Sequence, residues 1–299
     1  MAGMGTPTLR PGWVKVGLIV LTGVAFGSSV VVNRLGIREI PPLPFVGLRL
    51  LVAALAFVLI LAILRRSVPR NGRTWADLAF VGLTNAAFPV VAFTLALQFI
   101  SSAVLTVFIT LAPLFTAALA HWLLPGERLT PNKLAGLFLA FGGVLLLLGT
   151  STNGLADRSG FDLRGQLLGL AGALSVAVSV VYTRLRLRGT DPMTVSALQT
   201  VIGLLLVAPL SLGGGLEPGG VSGWGWFAVV YTGLVGSSLA ILLVFYMVRR
   251  YGATVSSLPT YVMPAAAALL GTVVLGEVLT LPLAGGAGLV LLGVYLAGR

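Results

Sequence analysis

No cysteine occurs anywhere in the 299 residues. That excludes disulfides, thiolate metal sites and cysteine nucleophiles. There is one histidine, His121, so no multi-histidine metal site can form. It lies beside Trp122 at the end of an apolar run and reads as an interfacial residue rather than a catalyst. Carboxylates are scarce as well. All eight (Glu39, Asp77, Glu127, Asp157, Asp162, Asp191, Glu217 and Glu277) fall in loops or near the ends of apolar runs. None sits at a predicted midplane, where a proton relay would use one. There is no Walker motif, and the run Gly213-Gly214-Gly215 follows no strand, so it is no phosphate cradle. No glycosylation sequon or lipidation motif occurs. These absences argue against an enzyme, and no cofactor or metal is expected.

What the chain has in excess is apolar surface. It is 57% hydrophobic and 9% charged, with a mean hydropathy of +1.04. Soluble domains carry about 25% charged residues. One membrane crossing takes ~20 apolar residues. Charges and breakers such as Pro41-Pro42, Pro125-Gly126 and Asp191-Pro192 cut the chain into ten apolar runs. They lie near 13–33, 44–64, 76–97, 101–124, 133–150, 165–185, 193–212, 224–247, 253–276 and 282–298. The first run is too long for a signal-peptide core and lacks an Ala-x-Ala exit, so it reads as a retained span. None shows the alternation of a membrane barrel. The expected fold is an all-α integral membrane protein of ten transmembrane helices.

The net charge is +11, from 19 Lys and Arg against 8 Asp and Glu. Such a balance can signal nucleic acid, but here the cations sit in short loops, where they orient helices. With the N-terminus in the cytoplasm, fourteen of them fall on the cytoplasmic side and four outside, namely Arg34, Arg38, Arg158 and Arg164. The last cation, Arg49, lies inside the second run near its outer end, able to snorkel or to pair with Glu39. The expectation is a protein of a bacterial inner membrane with both termini inside, monomeric, with lipid and a small solute as partners and no nucleic acid.

The halves 1–150 and 151–299 resemble each other. Ser29, Arg34 and Leu35 match Ser179, Arg184 and Leu185 at an offset of 150, and Gly82-Leu83 matches Gly233-Leu234 at 151. Pro113 matches Pro264, Glu127 matches Glu277, and Gly136 and Gly143-Val144 match Gly286 and Gly293-Val294. Five runs per copy is an odd number, so the second copy must enter the membrane inverted. The loops agree: Gln98-Phe99 aligns with Arg249-Arg250, while Arg128 and Lys133 align with Val278 and Leu283. Equivalent loops have exchanged cations, as two inverted copies require.

The stretch from Pro113 through Gly126-Glu127-Arg128-Leu129-Thr130 to Gly143, with its second copy from Pro264 through Gly276-Glu277 to Gly293, resembles the EamA type of the drug/metabolite transporter superfamily. The resemblance covers nearly the whole chain. Within the superfamily the chain is most similar to the YddG-type exporters of aromatic and other hydrophobic amino acids. It implies a ten-helix basket around a central cavity lined by the first, third, fourth, sixth, eighth and ninth spans.

A zwitterionic amino acid needs polar partners for its two charges and an apolar or aromatic wall. Polar groups deep in a bilayer are therefore candidates. The third span offers Asn85, Phe88 and Pro89; the eighth offers Ser237 and Ser238 at the matching place. The first and sixth contribute Ser29 and Ser179, the fourth Thr110, and the ninth Ser257 and Tyr261, which share a helix face at i, i+4. Each has a plainer role as a helix–helix hydrogen bond or a close-packing position. Pro89, Pro113 and Pro264 are candidate kinks, the last two shaping gates on opposite faces. The leading function is export of aromatic and hydrophobic neutral amino acids by facilitated alternating access. The rivals are a carrier of another metabolite (a drug, nucleotide sugar or sugar phosphate) and a non-transporting scaffold.

Overall fold

The computed structural model describes residues 12–124, 130–148, 163–251, 253–256 and 258–297. Among them the chain is helical, with no strand. In chain order the α-helices are α1 (Gly12–Gly36), α2 (Pro42–Ile63), α3 (Gly72–Val81), α4 (Phe88–Ala96), α5 (Ser102–Ile109), α6 (Ala112–Leu123) and α7 (Pro131–Leu148). Then come α8 (Leu163–Arg186), α9 (Pro192–Leu212), α10 (Gly223–Tyr231), α11 (Ala240–Tyr251), α12 (Ala253–Ser256), α13 (Pro259–Leu275) and α14 (Leu281–Ala297). Two π-helical segments, Gly82–Ala87 and Thr232–Leu239, join α3 to α4 and α10 to α11.

Helix starts follow local chemistry. Pro42 opens α2, where a missing N–H costs nothing. The Asn71, Ser101 and Asp191 side chains cap α3, α5 and α9 by accepting from Arg73, Val104 and Thr194 amides. Pro113 has no N–H for the Ile109 carbonyl, and α5 ends at Ile109. Pro264 behaves differently, because α13 continues through it; the interruption in that half precedes Pro259.

Seven helical stretches are long and apolar enough to cross a membrane. The runs read at 133–150, 253–276 and 282–298 contain shorter apolar helices at Leu134–Gly143, Pro259–Leu275 and Leu281–Gly293. Many large apolar side chains, Leu55, Ile63, Phe138 and Leu205 among them, face outward, as a lipid-bathed bundle demands.

The halves meet through pairs of equivalent residues. A Cβ on Gly143 would lie 2.6 Å from the Gly286 carbonyl, and one on Gly293 would overlap the carbonyl of Gly136. The two contacts are the same contact with the copies exchanged. Likewise a Cβ on Gly82 would come within 2.7 Å of Ile202 and 3.2 Å of the Gln199 carbonyl, and one on Gly233 within 2.7 Å of Val52 and 2.8 Å of the Arg49 carbonyl. Only glycine allows backbones so near, and close small-residue contacts replace the hydrophobic effect inside a bilayer.

Candidate functional site

The two π segments mark candidate functional positions, where single-turn π-bulges concentrate. In the first, the Phe88 amide bonds the Leu83 carbonyl, five residues back. In that register the next amide would serve Thr84, but residue 89 is proline and has none. The orphaned Thr84 carbonyl accepts instead from Ser175 Oγ of α8 at 2.7 Å. A backbone acceptor left bare at this depth would cost several kcal/mol, of order ~2–7. In the second segment the Ala240 amide bonds the Val235 carbonyl. There Ser237 and Ser238 donate to the Thr232 and Gly233 carbonyls, each at 3.2 Å and five residues back.

Each π segment is bridged to the second helix of the other half. Asn85 Nδ2 donates to Gln199 Oε1 of α9 at 3.1 Å. Arg49 Nη2 of α2 donates to Ser237 Oγ at 3.2 Å. Gln199 and Arg49 stand 150 residues apart, so the bridges correspond in place; their π ends differ by one residue, since Ser237 aligns with Ala86, and the donor has changed sides.

The first bridge lies at the deep end of a cavity of about 370 Å³ between α8 and α9. Asn85, Ser179 and Gln199 supply polar groups there, Val180, Leu187 and Val195 apolar wall, and Arg184 and Arg188 line it as well. Ser179 is 1% exposed, and its Oγ has no hydrogen-bond partner. A second cavity of about 340 Å³ flanks the other side of α8; it shares Val180 and Arg184 and adds Ala112, Pro113 and Thr116.

The two ends of the bundle carry different contacts. At one end the chain reverses at Gly276, whose left-handed φ of +67° ends α13. Glu277 then turns inward to pair with Arg34 of α1, the two being 5% and 3% exposed. Its carboxylate also accepts from the Ser102 amide at 2.9 Å, so it satisfies the start of α5 as well. Beside it Asn33 Nδ2 donates to Thr94 Oγ1 at 3.1 Å. At the other end Tyr182 donates to Asp77 at 2.7 Å, with Arg186 at 3.4 Å and an outer pair, Arg66 with Asp191, at 3.8 Å. These contacts sit at the α8–α9 end, the end on which the first cavity lies.

The other residues singled out from sequence are dispersed. Ser29 is buried against Gly236, and Ser28 shares a 2.9 Å hydrogen bond with Tyr231. Thr110 is buried and donates to the Val107 carbonyl at 2.6 Å. Tyr261 packs on the core cluster, edge to face with Tyr295 at 6.4 Å. Phe88 is 44% exposed and lines neither cavity. Pro89 is buried behind the first π segment. Ser257, and the turn from Gly126 to Arg128, lie outside the described residues.

The sequence model of the EamA-like transporter family matches this chain twice, over residues 13–149 and 163–299. The chain belongs to that family. An uncharacterized transporter of Archaeoglobus fulgidus is 27% identical over 291 residues, covering 94% of this chain and 98% of its own length. The uncharacterized transporter YoaV of Bacillus subtilis is 26% identical, covering 95% and 96%. The uncharacterized inner membrane transporter YedA of Escherichia coli K12 is 28% identical, covering 86% and 81%. A crystal structure 23% identical to the chain shares its fold, with a TM-score of 0.66 over 94% of this chain and 95% of that one. The protein is thus a multi-pass membrane transporter.

For an EamA-like transporter, three features escape a reading of the sequence. Gln199 lies on α9, the seventh of the predicted spans and outside the lining that the resemblance implies, yet it forms the deep polar pair. Arg184 reads as a loop cation and lines both cavities. Glu39 accepts from the Ser222 amide and hydroxyl, both at 2.8 Å, and does not pair with Arg49. The offset of 150 was the available signal for Gln199, since it points from Arg49 to that position.

Proposed function

We propose that the protein exports aromatic and other hydrophobic neutral amino acids by facilitated alternating access. The observation that carries this reading is the cavity at Asn85, Ser179 and Gln199. Its deep end is polar and uncharged, its wall is aliphatic, and the arginines Arg184 and Arg188 can meet a carboxylate. Asn85 and Ser179 would hold the polar end of the solute, with Ser237 and Ser238 near the place of Asn85 in the second half and Ser29 the counterpart of Ser179 in the first. Tyr261, Phe88, Thr110 and Ser257 would join as the helices move. The reading takes ten crossings in two inverted copies, both termini in the cytoplasm of a bacterial cell and a monomeric unit. It is supported by the reciprocal glycine contacts, the exchanged loop cations and the inner-membrane relative.

On this reading the cavity faces the cytoplasm and the Arg34–Glu277 pair shuts the outer end. Export would alternate that closure with an equivalent one at the α8–α9 end, Pro113 and Pro264 shaping the moving helices. Arg184 also favours a second reading, a carrier of anionic metabolites such as sugar phosphates. The deciding experiment is efflux of labelled phenylalanine and of a labelled nucleotide sugar from proteoliposomes held without ion gradients. Phenylalanine efflux that falls in Asn85→Ala, with no nucleotide-sugar efflux, is the expected result. No phenylalanine efflux, even with a proton gradient imposed, would overturn the amino-acid reading and leave the second.

A further inference from the structure

Arg49 is the one cation in the interior of α2, seven residues past its first turn residue Pro42. A guanidinium at such depth is costly unless paired, and marks function by default. Here it is half-buried, and among the described residues no carboxylate pairs with it. Its single hydrogen bond goes to the Ser237 hydroxyl. Its Nε is buried with no partner at all. A guanidinium presents Nε–H and Nη–H as a parallel fork that fits one carboxylate in two bonds. Arg49 has one tine on a serine and the other empty.

The equivalence of Arg49 with Gln199 says when that fork becomes accessible. Gln199 lines a cavity; Arg49 lines neither of the two described and lies against the second π segment, through the Ser237 hydroxyl and the approach of Gly233 to its carbonyl. In two inverted copies that exchange conformations, each cavity residue hands its environment to the residue 150 positions away. Ser179, Arg184, Arg188 and Gln199 thereby map onto Ser29, Arg34, Arg38 and Arg49. The mouth keeps two arginines in both states. The deep end changes from a neutral amide to a guanidinium.

We propose that Arg49 is the carboxylate receptor of a second half-site, open in the opposite-facing state, and that the Ser237 hydroxyl here holds the position of one carboxylate oxygen. The required solute class is a carboxylate with an apolar body. This deepens the alternating-access reading above and rests on it. Binding the solute anion to Nε and Nη returns Ser237 wholly to the Thr232 carbonyl, which it already reaches.

The test uses the full chain in proteoliposomes, with labelled phenylalanine efflux and two competitors. Phenylpropionate keeps the carboxylate and lacks the ammonium; phenylalanine amide keeps the ammonium and lacks the carboxylate. Phenylpropionate should compete about tenfold better than the amide, the worth of a charge-assisted pair. Arg49→Gln, which copies the residue of the other half, should remove that advantage, and Arg49→Lys should keep part of it. Ser237→Ala, which frees Nη2 and leaves the charge, should strengthen phenylpropionate competition. If Arg49→Gln does not fold, the lysine and Ser237→Ala variants decide. Equal discrimination in wild type and all folded variants overturns the proposal. Should phenylalanine not move at all, the amino-acid reading fails by itself. Thermal stabilisation of the purified protein by phenylpropionate, lost in Arg49→Gln, would then still support the receptor, and its absence would overturn it.

Discussion

The two π segments are one device used twice with different chemistry. Both widen the helix at equivalent positions, both press a glycine onto the second helix of the other half, and both are bridged to it by a side chain. The first bridge is neutral and opens on a cavity; the second is cationic and lines neither described cavity. Backbone geometry has thus been kept across the copies while side chains diverged. Packing explains the difference: a π turn and a glycine contact tolerate few substitutions, whereas a bridge survives in any form that pairs a donor with an acceptor.

The harshest way to break the asymmetry is to remove the buried pair at one end. Glu277→Ala leaves Arg34 buried without its carboxylate and removes an acceptor from the start of α5. Removing one partner of a buried pair costs about 3–5 kcal/mol. Thermal unfolding in detergent should show a loss of that order. The chain has no cysteine, so a single Ser29→Cys reporter is unambiguous. An impermeant maleimide should label it faster in Glu277→Ala than in the parent. Unchanged labelling with unchanged stability would mean that the pair does not close this end.

A milder cut separates the half-sites themselves. Asn85→Ala leaves Gln199 without its donor, and intramembrane side-chain bonds are worth about 1–2 kcal/mol in model helices. Phenylalanine efflux should fall more than stability does, because the amide also faces the cavity. An Asn85→Leu, Gln199→Leu double variant should recover stability without recovering efflux. Recovery of both would reduce the pair to a packing element.

Much of this architecture was legible beforehand, and for physical reasons. Apolar length marks a crossing, and the helices fall on the runs read from composition, with α1 reaching Gly36 and α2 beginning at Pro42. Glycine spacing carried the repeat, since Gly143 and Gly293 are held by close approach. The π segments were invisible, because apolar periodicity reports which face is buried and not whether an amide reaches back four residues or five. Sequence position makes Glu277 and Asp77 loop or helix-end acids, yet both are buried; position along the chain does not reveal that three helix ends converge on one carboxylate. The helix is interrupted before Pro113 and continues through Pro264, since neighbouring helices can keep a proline helix intact, so a proline by itself does not say which of the two occurs.

The smallest effect is the sharpest test of the π device. Ser175→Ala removes the side chain that serves the Thr84 carbonyl, which Pro89 cannot serve. Measured intramembrane hydrogen bonds average about 0.6 kcal/mol, so the loss of stability should be near that value. Pro89→Ala restores an amide in the π register. In that background Ser175→Ala should cost nothing measurable, and the double-mutant coupling should equal the single loss with opposite sign. Ser238→Ala in the second half has no proline behind it, so its cost should be indifferent to Pro89→Ala. Additive effects of Ser175→Ala and Pro89→Ala would show that the serine packs rather than bonds. The first π turn would then be held by the Asn85–Gln199 bridge and the Gly82 contact, and the likeness of the two halves would be one of shape alone.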